Sequence, residues 1–130
     1  MPEPTKTIDL SDQDNCPIRN VIDRIGDRWS ILVLTALTCS PSLRFSEIKR
    51  QIGDISQRML SQTLRRLEQD GYVRRTVFPT VPPRVEYALT DLGVSLMQPL
   101  GGLMAWANAN FAAVLAAREA YTPPPPQVAL

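Results

Sequence analysis

The chain has 130 residues and a net charge of +1, enough for one domain with a modest core and no general polycation. It has no histidine, and its two cysteines lack CxxC spacing. That excludes histidine acid–base catalysis, histidine-containing zinc sites, Ser-His-Asp machinery and a disulfide scaffold. No catalytic residue, metal site or cofactor is expected.

Residues 1–14 are polar, acidic and Pro-containing, and read as a flexible arm. The folded domain is expected over 15–121, and 122–130, TPPPPQVAL, as a disordered Pro-rich tail. A first helix should begin near Pro17, where the missing N–H is harmless. Its apolar stripe is Ile18, Val21, Ile22 and Ile25, and Gly26 ends it. Asp27 can cap a second helix, about 28–38, that is apolar on most faces and so central to a core. Ser40, Pro41 and Ser42 form the next loop.

A third helix, about 45–52, turns Phe45, Ile48 and Ile52 inward. Gly53, Asp54 and Ile55 make a tight turn, and Ser56 is a natural N-cap for a fourth helix reaching about Asp70. Leu60, Leu64 and Leu67 share its buried face, and Gly71 supplies a left-handed cap. Two strands, about 72–78 and 85–89, flank a stiff PTVPP tip. Thr90 and Asp91 then cap a long helix ending near Ala120, with Pro99 expected to kink it. This helix is nearly free of charge from Gly93 to Ala117, so a second copy of the chain is its expected cover.

The predicted fold class is mainly α with a small β-wing: a winged helix-turn-helix with flanking N- and C-terminal dimerisation helices. Charge supports that reading. The segment Arg44 to Arg84 holds nine basic and four acidic residues, net +5, and the remainder is net −4. A basic helix-turn-helix and ribbon in an otherwise acidic chain steers toward the phosphates of double-stranded DNA. In such folds the N-terminal half of the second helix meets base edges, which here offers Ser56, Gln57, Arg58, Ser61 and Gln62. Glutamine suits adenine and arginine suits guanine. Arg44, Arg65, Arg66, Arg74, Arg75 and Arg84 are the expected phosphate and groove contacts. As a homodimer, the protein would place two such helices about 34 Å apart on an inverted repeat.

The ordered motifs Cys16-Pro17-Ile18, Ile25-Gly26-Asp27-Arg28-Trp29, Arg44-Phe45-Ser46-Glu47-Ile48, Ile55-Ser56-Gln57-Arg58-Met59-Leu60, Asp70-Gly71-Tyr72-Val73, Pro82-Pro83-Arg84-Val85-Glu86-Tyr87 and Leu89-Thr90-Asp91-Leu92-Gly93 run from Cys16 to about Ala109. On these the chain resembles the HxlR-type winged helix-turn-helix transcriptional regulators, relatives of the MarR group. The resemblance implies a homodimer joined by terminal helices and a repressor or activator of transcription. It also implies, for some members, sensing of oxidants or electrophiles through a cysteine near the first helix, the place of Cys16.

A helix N-terminus favours thiolate, whereas Asp12, Asp14 and Asp23 oppose it. Cys39 is expected to be a buried packing residue. Two other readings compete. The effector could be a small apolar molecule lined by Trp29, Met104, Trp106 and Phe111, or the domain could bind proteins instead of DNA. No secretory signal and no stretch near about 18 apolar residues is expected, which predicts a soluble, cytoplasmic protein with no membrane contact.

Overall fold

The structure is a computed structural model and describes residues 9–126. The outermost parts of the expected arm and tail, 1–8 and 127–130, lie outside the described residues. The element order is α1 Pro17–Ile25, α2 Ser30–Thr38, β1 Leu43–Arg44, α3 Phe45–Ile52, α4 Gln57–Gln69, β2 Val73–Phe78, β3 Arg84–Leu89 and α5 Asp91–Ala120. The chain divides into two compact units, 1–97 and 98–130, so the first turns of α5 belong with the winged unit.

Caps visible in the sequence set the helix boundaries. Pro17 opens α1, with Cys16 in extended conformation as N-cap. The carboxylate of Asp27 accepts from the N–H groups of Trp29 at 2.8 Å and Ser30 at 3.0 Å, and also from the Ser30 hydroxyl. These bonds satisfy donors that α2 cannot pair internally. Ahead of α3, Glu47 accepts from the Arg44 N–H at 2.9 Å. Ser56 accepts from the Met59 N–H at 3.0 Å and starts α4. The end of α4 is a Schellman motif: Tyr72 N–H donates to the Leu67 carbonyl at 3.0 Å, and Gly71 N–H to the Glu68 carbonyl at 3.1 Å. The motif needs a left-handed residue, and Gly71 has φ +82°.

The core of the winged unit joins α2, α3 and α4. Val33, Leu34 and Leu37 from α2 are buried with Ile48 of α3 and Leu60, Leu64 and Leu67 of α4. Each such side chain stabilises the fold by roughly 1.5–3 kcal/mol relative to exposure. Ile55, which sequence places in the turn, is also buried and plugs the α3–α4 corner. Two ion pairs tie α4 to the N-terminal helices. Arg24 Nε lies 2.8 Å from Asp70, and Arg66 lies 4.0 Å from Asp27.

The expected two-stranded ribbon has a third member. The antiparallel sheet has the order β1-β3-β2, with Leu43 opposite Tyr87 and Arg44 opposite Glu86. Two residues are too few to show an alternating pattern, so β1 reads as loop in sequence. The base of the wing meets the start of α5 through main-chain groups. Thr90 N–H donates to the Tyr72 carbonyl at 3.1 Å, the Thr90 hydroxyl donates to the Gly71 carbonyl, and Gly93 N–H donates to Thr90 Oγ1 at 3.1 Å. A Cβ on Gly93 would fall 2.2 Å from the Tyr72 carbonyl oxygen, so only glycine admits this approach.

Two apolar surfaces differ from expectation. On α1 only Ile25 is buried, while Ile18 and Ile22 of the expected stripe are exposed. Nothing among the described residues covers them. α5 is continuous helix over 30 residues, with Pro99 inside it. One 18-residue window in it has mean hydropathy 1.3 and is 6% buried, long and apolar enough by length and composition to cross a membrane. Sequence reading saw no such span because glycine, alanine and uncharged polar residues interrupt the large apolar ones without adding charge.

Residues 9–15 are hydrogen-bonded to α1 and to one another. Arg19 donates to the Leu10 carbonyl at 2.9 Å, and Cys16 N–H to the Asp12 carbonyl at 3.1 Å.

Partial burial pushes the Asp27 carboxyl up, but hydrogen bonds from the Ser30 hydroxyl and the Trp29 and Ser30 N–H groups outweigh it and hold the net value below the ordinary carboxylate range. Its folded-state value is therefore below its unfolded one. The resulting stability is complete above the ordinary range and is lost as pH falls through the folded-state value. Asp27→Ala is expected to reduce unfolding free energy by about 0.5–2 kcal/mol at neutral pH. Urea titrations of both proteins should show that gap narrowing at about pH 3.

Candidate nucleic-acid interface

The 13 residues of α4 divide cleanly by burial. Leu60, Thr63, Leu64 and Leu67 face the core, and Thr63 satisfies its hydroxyl by donating to the Met59 carbonyl at 2.8 Å. Gln57, Arg58, Ser61, Gln62 and Arg65 are exposed, and Ser56 is exposed at the N-cap. Arg58, Ser61, Gln62 and Arg65 follow i, i+3, i+4, i+7 spacing and so share one stripe. The structure thus brings together six of the expected residues on one polar face, about 14 Å from Ser56 to Arg65.

The expected arginines separate into two groups. Arg65 and Arg75 line one polar cleft of about 360 Å³ with Ser61, Glu68 and Tyr87, between α4 and the wing. Arg75 is paired with Tyr87 across the ribbon, which brings both to the α4 side. Arg74 is exposed on the other face of β2. Arg44 is exposed at the junction of β1 and α3.

Arg66 and Arg84 have protein partners. Arg66 turns toward Asp27, with about a third of its side chain exposed. Arg84 Nε lies 2.9 Å from Glu86 Oε2, an ion-pair distance without hydrogen-bond alignment, and is otherwise unpartnered. The Arg84 guanidinium also sits 4.4 Å over the Phe78 ring, and Glu86 accepts from the Ser42 hydroxyl at 2.6 Å. Sequence could not show the Arg66 pairing, because Asp27 is brought to it only by the fold.

Two basic residues outside the expected set border the same region. Lys49 and Arg50 lie on α3 and line a shallow hollow with Ser46 and Gly53. Their signal in the sequence was the basic charge of the segment, but no motif picked them out. Arg28, by contrast, is engaged with Asp54 at 3.0 Å and stacked on Trp29 at 4.6 Å.

The cysteines reverse one expectation. Both are free thiols; Cys16 is buried, 4% exposed, whereas Cys39, expected to be buried, is exposed at the C-cap of α2. One residue past the end of α2, the Cys39 side chain leaves the core-facing stripe of Val33, Leu34 and Leu37. Among residues suggested for an apolar ligand, Trp106 and Phe111 are more than half exposed. An apolar hollow of about 460 Å³ lies elsewhere, lined in part by Leu37, Cys39, Pro41, Leu89, Val94 and Met97. No cluster of histidine, cysteine, aspartate and glutamate able to hold a metal occurs among the described residues.

Known proteins share this arrangement. The HxlR-like helix-turn-helix family matches residues 24–114. The HTH-type transcriptional regulator YtfH of Escherichia coli (strain K12) is 42% identical over 106 residues, covering 82% of this chain and 83% of its own. Among solved structures, the transcriptional regulator ytfH from Salmonella typhimurium superposes with a TM-score of 0.75 at 41% identity, covering 87% of this chain and 99% of that one. The redox regulator HypR in its reduced form superposes with a TM-score of 0.73 at 35% identity, covering 77% of this chain and 98% of its own. Its helix order, its wing and the length of these matches together show that the chain belongs to the HxlR-like helix-turn-helix family of transcriptional regulators.

Proposed function

We propose that this regulator binds an inverted-repeat operator as a homodimer, reading bases with the exposed face of α4. The observation that carries the reading is the burial split of α4, with leucines inward and Gln57, Arg58, Ser61 and Gln62 outward. Ser56, Gln57, Arg58, Ser61 and Gln62 are assigned to base edges and the helix N-terminus. Arg44, Arg65, Arg74 and Arg75 are assigned to phosphates. Arg66 and Arg84, being engaged by carboxylates, contribute to the field and act mainly as struts. The domain is assigned to 15–121, with terminal segments 1–14 and 122–130 outside it.

The dimer is supported by apolar surface that a single chain leaves uncovered: Ile18 and Ile22 on α1, and Leu103, Trp106, Phe111 and Leu115 on α5. A second copy is a better cover than lipid. α5 carries Gln98, Asn108 and Asn110, whose amides would lack water in a bilayer. The regulator is accordingly assigned to the cytoplasm, with its DNA, and no catalytic role is assigned to it.

A redox input through Cys16 is favoured by the likeness to the redox regulator HypR. Burial of the Cys16 thiol means that an oxidant reaches it only when the first turn of α1 opens. Oxidation would then act by repositioning α1 and the paired recognition helices. Gel shifts before and after diamide, in wild type, Cys16→Ser and Cys39→Ser, test this. Equal diamide responses in wild type and Cys16→Ser would remove Cys16 from the mechanism.

Gln57→Ala and Arg58→Ala are expected to lose about 1–3 kcal/mol of binding and relax base preference at one position each. Arg75→Ala should weaken all sequences alike and lower the log–log salt slope by about 0.9. Competition binding over a salt series separates the two classes; unaltered specificity in both α4 variants would place the reading surface elsewhere. Trp106→Asp should shift sedimentation from dimer to monomer, and a monomeric wild type would refute the paired arrangement.

A further inference from the structure

We propose that the hollow beyond the C-terminal end of α2 is an effector site for a small uncharged aromatic molecule. Its output rests on the operator-binding reading above, while the site stands on its own geometry.

The hollow has a volume of about 460 Å³. That is toward the small end of the range for small-molecule sites, about 300–1,000 Å³. Leu37 of α2, Leu89 of β3, and Val94 and Met97 of α5 form its apolar walls. Every lining residue falls within the winged unit, so that unit alone builds the site. Helix α2 stops at Thr38, and the chain turns away through Cys39, Ser40 and Pro41 along the rim.

The lining chooses the occupant. No lining residue carries a charge. A carboxylate or an ammonium group would give up water there with no counter-charge to replace it. The Thr38 hydroxyl donates to the Thr35 carbonyl at 2.6 Å, so Ser40 supplies the hydroxyl that can donate to an occupant. The Met97 thioether and the branched walls suit the face and edge of an aromatic ring. A ring-sized apolar body with one hydroxyl or carbonyl matches this set. A second copy of the chain fits less well. The hollow is concave and its rim holds Thr38, Ser40 and Pro41, whereas the centres of protein interfaces are depleted in serine.

Position links the site to the DNA-binding surface. The rim leads directly into β1, where the Ser42 hydroxyl donates to Glu86 at 2.6 Å and Leu43 lies opposite Tyr87. Tyr87 in turn lies opposite Arg75, and Leu89 at the end of the same strand is a wall of the hollow. An occupant therefore touches the approach to β1 and the end of β3 at once, and biases the sheet that carries Arg75. Such coupling is reciprocal: the factor that the occupant applies to operator affinity is the factor that the operator applies to the occupant.

Cys39 gives the test its reporter. Its thiol is exposed at the rim and Cys16 is buried, so a maleimide should label Cys39 first, with the labelled residue identified by mass spectrometry. The full chain is labelled with naphthol present, and with naphthoate, the same ring system bearing a negative charge. Half-protection by naphthol is expected at about 0.1–1 mM. At about ten times that concentration labelling should slow roughly tenfold, and naphthoate should have no effect. Ser40→Ala should weaken the protection about threefold to tenfold. Val94→Trp, which fills the hollow from a position 55% exposed, should abolish it. Operator affinity should change with naphthol, and the half-protection point should shift by the same factor when operator is added. Protection by neither probe, or equally by both, overturns the site. Protection retained in Val94→Trp would place the probe in the smaller hollow lined by Leu32 and Ile52 on the other side of Cys39, and would also overturn it. Labelling that slows with protein concentration alone would give this surface to a second copy. Protection without coupling to operator would overturn the effector role. A chain that selects no operator would defeat the operator-binding reading, and with it the output, while the labelling result still decides the site.

Discussion

Burial of Leu60, Leu64 and Leu67 against α2 and α3 is the constraint from which the interface follows. An α-helix has one angular degree of freedom about its axis, and three leucines at i, i+4 and i+7 remove it. Once they are inward, Gln57, Arg58, Ser61 and Gln62 can only point away. Exposing those leucines to rotate the helix would forfeit several kilocalories per mole, far more than any single base contact returns. The polar face of α4 is consequently held in one orientation by the core, as the base-reading role proposed for it requires.

Electrostatics then divide the basic segment by role. Within it Arg66 and Arg84 are matched to Asp27 and Glu86, and outside it Arg24 is matched to Asp70; pairs of this partly exposed kind contribute little to stability. Their effect is positional: they dock α1 on the end of α4, hold α4 beside the Asp27 cap, and pin one side of the wing. Arg58, Arg65, Arg74 and Arg75 stay exposed at the surface. The net charge of the segment thus overstates what is free to meet phosphate.

Sequence showed the helices wherever a cap carried the boundary: Pro17, Asp27, Ser56, Gly71 and Thr90 each mark an end found in the structure. These residues act within four positions of themselves, so their effect is local and readable. The exposed face of α4 was readable for the same reason, through its period. What sequence missed depends on contacts distant in the chain. β1 exists only because β3 lies beside it, 44 residues on at the Leu43–Tyr87 pair and 42 at the Arg44–Glu86 pair. Arg66 is captured by Asp27, 39 residues earlier and just ahead of α2. The burial of Cys16 and the exposure of Cys39 were likewise decided by packing; neither residue's immediate neighbours distinguish the two.

The joint between the wing base and α5 has a consequence for how this chain tolerates change. Its acceptors are the main-chain carbonyls of Gly71 and Tyr72, and its closeness depends on the missing side chain of Gly93. Main-chain groups are supplied by every residue type, so Tyr72 can vary freely in side chain without loosening the joint. Only Thr90 and the two glycines are chemically fixed. Sequence can therefore change in α4 and in the later turns of α5 independently of each other without disturbing the joint at Thr90 and Gly93.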